Sequence, residues 1–425
     1  MHALRLLFYN IFLRVFKALI LVASQWNPKA KRWIEGRKNQ FKILASKFEG
    51  ISDPVIWFHC ASLGEFEQGR PLLETWKKQH PQHKILLTFF SASGYEAQKN
   101  FKGADIVFYL PMDGFQNAKK FLNIVNPSLV FWVKYDYWYY YLKVLEQRKI
   151  PVLLVSSIFW ETMFFFKWYG KLHRMMLESF THIFVQNEIS VRLLENCGFK
   201  GKVTLAGDTR FDRVFSIASQ FSPIEPIEAF CGTDPVIVAG STWPEDDLML
   251  DHYANKHPSI KFIIAPHDIH DYRIKDIEKL FQKIIRYSAW IELKEEERKE
   301  SDANTLLIDN IGMLSKLYRY ATIAYVGGGF TDTGVHNVLE AAVYGKPVIW
   351  GQEYERFHEA IGLLQAGGGF SIESAVELEQ LLDRFFIDDE FRIATAKISE
   401  RFVRERTGAT QKIMDYIQLN RLFNN

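Results

Sequence analysis

The 425-residue chain is poor in cysteine, holding only Cys60, Cys197 and Cys231. They stand far apart and show no paired metal spacing. That excludes a disulfide framework and a structural zinc, and it fits a reduced, cytoplasmic setting. The histidines are no better arranged: His267, His270 and His336 have no His-x-x-x-His or carboxylate partner spacing. Neither a metal nor another cofactor is expected. Net charge is nearly absent, at +2 from 52 Lys/Arg and 50 Asp/Glu, and so balanced a chain offers no basic field for nucleic acid. A long uncharged apolar run is also missing. The best candidate, residues 3–26, is interrupted by Arg5, Arg14 and Lys17.

Those three charges favour a helix lying in or dipping into a membrane interface over one that spans it. At roughly 100° per residue Arg14 and Lys17 are neighbours, and Arg5, near the axis end, can snorkel. Trp26 and the cluster Lys29, Lys31, Arg32, Arg37 and Lys38 suit an anionic headgroup layer. The basic end is local, with ten Lys/Arg against two Glu in residues 1–50. No small-residue cleavage site follows, which argues against a signal peptide. The competing reading is a helix buried in the protein's own core.

The rest is ordinary globular material, 48% hydrophobic and 24% charged, enough for two domains. From residue 55 onward short apolar runs alternate with amphipathic ones. Val55–Phe58, Lys84–Phe89, Ile106–Tyr109, Leu129–Val133, Val152–Val155 and Ile183–Val185 are predicted strands, separated by helical stretches such as 66–80, 115–125 and 189–196. Ser219–Phe230, with two prolines and little periodicity, is predicted to be a linker. The alternation then resumes with Val236–Ala239, Phe262–Ala265, Leu306–Ile308, Ile323–Val326 and Val348–Trp350. Strands buried on both faces and separated by helices predict doubly wound parallel sheets. The expected organisation is an amino-terminal segment 1–27, Rossmann-like domains at 28–218 and 231–405 with a ligand cleft between them, and a C-terminal helix 406–425 packing back on the first domain. Residues 292–300 read as a solvated stretch with no chemistry.

Two loops carry the chemistry. In the second half Ile323–Val326 runs into Gly327-Gly328-Gly329, then Asn337-Val338-Leu339-Glu340 and a helix-like run through Tyr344. A strand, a glycine loop and a helix start suit a phosphate, with Glu340 placed to hold a ribose hydroxyl. The plainer alternative is an Asn cap with a capping-box Glu. Ser241-Thr242 after Gly240, Pro266-His267, and Gly312-Met313-Leu314 fall at the same sheet edge. In the first half Ala61-Ser62-Leu63-Gly64-Glu65 follows the first strand. Glu65, at a helix start beyond a small-residue loop, is a candidate general base, or else an acid that complements the helix dipole.

Taken together, Ala61–Glu65, Leu205–Asp212, Ala239–Thr242 and Val326–Gly329 leading to His336–Glu340 resemble the bacterial 3-deoxy-D-manno-octulosonic acid (Kdo) transferases of lipopolysaccharide synthesis. The resemblance implies a two-domain α/β GT-B glycosyltransferase, membrane-associated on the cytoplasmic side of the inner membrane. It implies inverting transfer of Kdo from CMP-Kdo to a lipid A precursor, with no metal. By resemblance Glu65 is the base, with Ser62 and Gly64 on the acceptor side. Pro266, His267, Gly312, Met313, Leu314, Asn337, Val338, Leu339 and Glu340 would bind CMP, assisted by Ser241, Thr242, Arg210, Gly328 and Gly329. Three positions depart from the family pattern. Lys134 replaces a carboxylate in Lys134-Tyr135-Asp136-Tyr137-Trp138, His267 replaces an Arg, and Trp243 replaces a His. The rival readings are another GT-B transferase or a nucleotide-sugar epimerase, and a non-enzymatic membrane scaffold. A nicotinamide dehydrogenase is disfavoured because no acidic residue ends the strand after the glycine loop.

Overall fold

In a computed structural model, which describes residues 2–423 and side chains from Leu4 onward, the apolar runs form two parallel sheets. Each belongs to its own compact unit. The first unit runs to Asp212 and resumes at Gly408; the second is Arg213–Thr407.

The first sheet contains β1 (Val55–Cys60), β2 (Lys84–Phe89), β3 (Ile106–Tyr109), β4 (Leu129–Val133), β5 (Val152–Ser157), β6 (His182–Val185) and β7 (Val203–Leu205). Its order is β3-β2-β1-β4-β5-β6-β7, so the chain winds outward from β1 and then restarts beside it at β4. Helices cover both faces, which is why the inner strands read as unbroken apolar runs. Successive residues feed opposite cores: Trp57, Val130 and Trp132 enter one, Phe58, Phe131 and Val133 the other. The Phe58 and Phe131 rings stack at 4.5 Å.

The second sheet contains β8 (Val236–Thr242), β9 (Lys261–Pro266), β10 (Ile284–Arg286), β11 (Thr305–Leu307), β12 (Ile323–Val326), β13 (Val348–Gly351) and β14 (Gly369–Ile372). The order β10-β11-β9-β8-β12-β13-β14 again places a restart, β12, beside the first strand. Two expectations are corrected here. The predicted linker is helical from Glu225 to Cys231, with Ile227, Phe230 and Cys231 buried; its proline at the first helical turn starts the helix instead of breaking it. The helix after the glycine loop is a single turn, Leu339–Ala342, because the chain bends at Gly345 (φ +63°) and Pro347 follows.

The amino-terminal helix, His2–Ala23, is long and apolar enough to cross a membrane, with mean hydropathy 2.0 over Leu4–Ala23. One stripe of it is nevertheless docked on the first unit. Leu13 is buried, Phe16 stacks on Phe90, Tyr9 donates to the Asp113 carboxylate at 2.6 Å, and Tyr140 donates to Asn10 at 2.9 Å. Leu4, Phe8, Ile11, Val15, Leu19 and Val22 remain exposed. At the other terminus, helix Ala409–Leu419 sinks Ile413, Met414 and Ile417 into the first unit's core beside Phe131, contributing roughly 1.5–3 kcal/mol apiece. Asp212 holds its start, accepting from the N–H of Gly408 at 2.5 Å and of Thr410 at 2.6 Å.

Candidate active site

In doubly wound sheets ligands bind at the carboxyl ends of the strands where the winding reverses. In the first unit this point lies between β1 and β4. The loop after β1 ends in Ser62, whose extended backbone opens helix Leu63–Gln79. Glu65, in its first turn, accepts from the Ser62 N–H at 3.0 Å, so the capping interaction is real. It does not exhaust the carboxyl, which is 9% exposed and pushed from its ordinary 4.5 to about 7. Burial is the largest cause and the Asp136 charge the second; the Ser62 and Ala61 N–H groups and Lys134 pull the other way. A carboxyl poised near neutrality can accept a proton at cellular pH. Gly64 beside it opens onto free space, with no protein atom where a Cβ would point.

The loop after β4 supplies a group that the motif reading missed. Asp136 lies 3.6 Å from His59 Nε2, and its backbone carbonyl accepts from the Trp132 indole. Preceding it, Lys134 sits in the left-handed region at φ +55°, its ammonium 5.4 Å from the Tyr135 ring. Where the family pattern has a carboxylate, this chain thus has a cation that opposes the rise of Glu65. Tyr135 is pushed up to about 12, by burial first and then by Glu65 and Asp208. Arg210 belongs to the same edge of the unit, forked onto Asp208 at 2.9 and 2.7 Å. Asp208 also meets Gln68, one helical turn after Glu65, at 3.5 Å. Ser156, at the β5 bulge, is in the left-handed region too (φ +55°). Backbone strain of this kind gathers where a site is being shaped.

The second unit repeats the arrangement between β8 and β12. Ser241 (φ +56°) bulges the end of β8, and the Thr242 carbonyl accepts from the His267 N–H at 3.0 Å. The glycines after β12 serve close packing. A Cβ on Gly327 would strike the Ser241 carbonyl, one on Gly329 would strike Gly351, and Gly328 has φ +92°. Several loop N–H groups are bonded within the protein: Gly327 to Gly240, His336 to Gly327 and Gly328 to the Asp246 carboxylate at 2.8 Å. Asp246, another residue missed in the sequence, also accepts from Trp243 N–H at 2.8 Å and Tyr325 hydroxyl at 2.7 Å. It orders the glycine loop from beneath.

Ligand-binding capacity therefore concentrates on the turn that follows. Asn337 accepts from Leu339 N–H at 3.2 Å and donates to Glu340 at 3.1 Å, pairing the two as a unit. Val338 and Leu339 are buried in the core, so they can offer a ligand only backbone. Leu314 and Tyr318 crowd the Cα of Gly240, and Gly312 (φ +99°) makes the preceding turn. Two of the chain's departures from the family pattern touch each other: Trp243 stacks on His267 at 4.8 Å, and His267 packs on His336 at 4.7 Å. The Trp243 indole donates to His336 Nε2 at 3.2 Å. Burial and His267 lower His336 to about 4, so it stays a neutral acceptor. Among the described residues no cluster of three His, Cys, Asp or Glu is placed to hold a metal.

Residues 31–213, which carry Glu65, Asp136 and Arg210, match a family model described as 3-deoxy-D-manno-octulosonic-acid (Kdo) transferase. The chain is similar in sequence to Kdo transferases over most of its length. It is 27% identical over 352 residues to a 3-deoxy-D-manno-octulosonic acid transferase of Aquifex aeolicus, covering 80% of this chain and 89% of that protein. It is 28% identical over 389 residues to a bifunctional glycosyltransferase/methyltransferase of Fusobacterium nucleatum, covering 88% of this chain but only 58% of that relative. In fold it is similar to the UDP-GlcNAc 2-epimerase of Neisseria meningitidis, with a TM-score of 0.58 at 17% identity over 86% of this chain and 99% of that one. The paired doubly wound units are those of the GT-B class.

Proposed function

We propose that this protein is an inverting glycosyltransferase that moves Kdo from CMP-Kdo to a lipid A precursor. The observation that carries this reading is Glu65: inside the family-matched unit, at the winding reversal, buried and held near pH 7 by its surroundings. As the acceptor hydroxyl attacks the anomeric carbon, Glu65 takes its proton. The glycosidic bond forms on the opposite face as the bond to the CMP phosphate breaks, inverting the centre. The Asn337–Glu340 pair, with Pro266, His267 and the Gly312–Leu314 turn, holds the nucleotide. Backbone N–H groups of the second unit's loops meet the phosphate of the donor. No metal takes part.

Work at a membrane is supported by the amino-terminal helix. Its docked stripe fixes one side to the first unit and leaves the other apolar side, with exposed Trp26, to enter an interface. A helix held in this way lies along the inner membrane's cytoplasmic surface, and Lys29, Lys31, Arg32 and Lys38 after it meet anionic lipid; Arg37, expected among them, instead turns inward and donates to the carbonyls of Trp33, Phe90 and Leu110. The deciding experiment incubates the full chain with CMP-Kdo and a tetraacylated lipid A precursor and weighs the products. A mass increase of one or more Kdo units with release of CMP supports the proposal. Release of a nucleoside diphosphate from other donors, with no reaction of CMP-Kdo, would assign it to another GT-B activity.

A further inference from the structure

Within the first unit, a cavity of about 780 Å³ opens between the amino-terminal helix and residues 162–176, inside the size range of small-molecule sites. Its walls are Phe8 and Phe12 on one side and Met163, Phe165 and Met176 on the other; its floor is Tyr135 and Asp136. That floor links it to the chemistry, because Asp136 is the charge that helps raise Glu65. The rim is unusual for a surface facing only water. Trp160, Phe164, Trp168 and Tyr169 are exposed, Trp168 at 90%, and they flank the groove opposite the exposed apolar face of the helix. Aromatic side chains with one wet end collect where protein meets a bilayer surface. Both walls thus carry apolar surface outward, and the groove is continuous with it.

We infer that this groove receives one acyl chain of the acceptor lipid and so sets its sugar beside Glu65. The inference rests on the acceptor assigned above. Three observations select a hydrocarbon chain as the occupant. The walls are mostly hydrocarbon and aromatic, and burial lowers the pKa of His173 among them. The mouth merges with a surface fit for a bilayer, so a chain slides in without crossing water. Arg5 lines the groove as well, and its cation suits the phosphate of a glycolipid whose tail lies inside. An acceptor anchored in this way would be chosen by its acylation as well as by its sugar.

The test narrows the groove with Thr162→Trp and Met163→Trp in the full chain, assayed in mixed micelles. Acceptors are the tetraacylated precursor and the same disaccharide phosphate stripped of its acyl chains. The ratio of kcat/KM values, acylated over deacylated, is expected to fall at least 10-fold, mostly through KM. In parallel, a phospholipid with a diazirine on its acyl chain is photolysed with wild-type protein, and labelled peptides are identified by mass spectrometry; label within residues 159–176 is expected. An unchanged ratio, or label confined to the Leu19–Val22 face of the helix, overturns the inference. So does a detergent-resistant dimer, by light scattering, in which the groove takes no label because a second copy fills it. If wild type glycosylates neither acceptor, the proposed function fails, while the photolabel still decides whether the groove takes an acyl chain.

Discussion

Replacing Glu65 with Gln separates two roles of one carboxyl and predicts opposite effects on turnover and stability. Gln keeps an oxygen to accept the Ser62 N–H but cannot take a proton, so turnover falls about 10²-fold or more. Stability moves the other way at high pH. Between pH 4.5 and about 7 the folded protein keeps a proton on Glu65 that the unfolded chain has released. Wild-type stability therefore falls as pH rises through that window. At about 1.36 kcal/mol per pH unit the full effect is roughly 3 kcal/mol, of which about 2–3 kcal/mol is lost between pH 5 and pH 8. Gln does not titrate, so the stability difference between the two proteins should change by that amount over the interval. The measurement is urea unfolding at both pH values, with hydrogen exchange in β1 reporting on the first unit. Equal differences at pH 5 and pH 8 would refute the idea that Glu65 is strained by burial; wild-type turnover in the variant would refute the base assignment. In the wild type, activity should rise as pH climbs through about 7, where the carboxylate forms.

Asp136→Asn removes a neighbouring negative charge, so Glu65 ionises more easily and the rising limb of the pH–rate profile should move to lower pH. Glu340→Ala should weaken CMP by about 1–3 kcal/mol in calorimetry, through loss of the proposed ribose hydrogen bond; unchanged affinity in a folded variant would show that Glu340 does not hold the nucleotide. Leu19→Glu with Val22→Glu places charge on the exposed apolar face and should lower partitioning into anionic vesicles at least 10-fold, with CMP affinity retained. Tyr9→Phe removes a donor from Asp113, a carboxyl that burial already raises to about 6. It should cost about 1–3 kcal/mol in unfolding experiments.

What the sequence discloses follows burial. Central strands such as Leu129–Val133 are enclosed on both sides and announce themselves as apolar runs. Of the three strands missed, β7, β10 and β14, each lies at a sheet edge, where β7 and β10 are only half buried and partly polar composition hides them. Glu65 was visible because a small-residue loop between strand and helix marks the site locally. Asp136 was not, since it sits inside an aromatic run and acts through His59 and Glu65, both far away in the chain. Asp246 was hidden in Pro-Glu-Asp-Asp, which reads as a solvated helix start, although Asp246 is wholly buried. The stack of Trp243, His267 and His336 joins three separate loops, a proximity that only folding creates.

The C-terminal helix has a consequence in time. Its side chains complete the first unit's core, yet residues 213–407 are made before it. At about 5–20 residues per second that interval lasts roughly 10–40 s. Throughout it the surface that Ile413, Met414 and Ile417 will cover, including Phe131 and Phe184, has no native partner, and Asp212 has no helix to cap. The first unit must wait for the helix Ala409–Leu419, made after the whole second unit. Truncation near residue 408 would therefore damage the first unit, by leaving its core open for good.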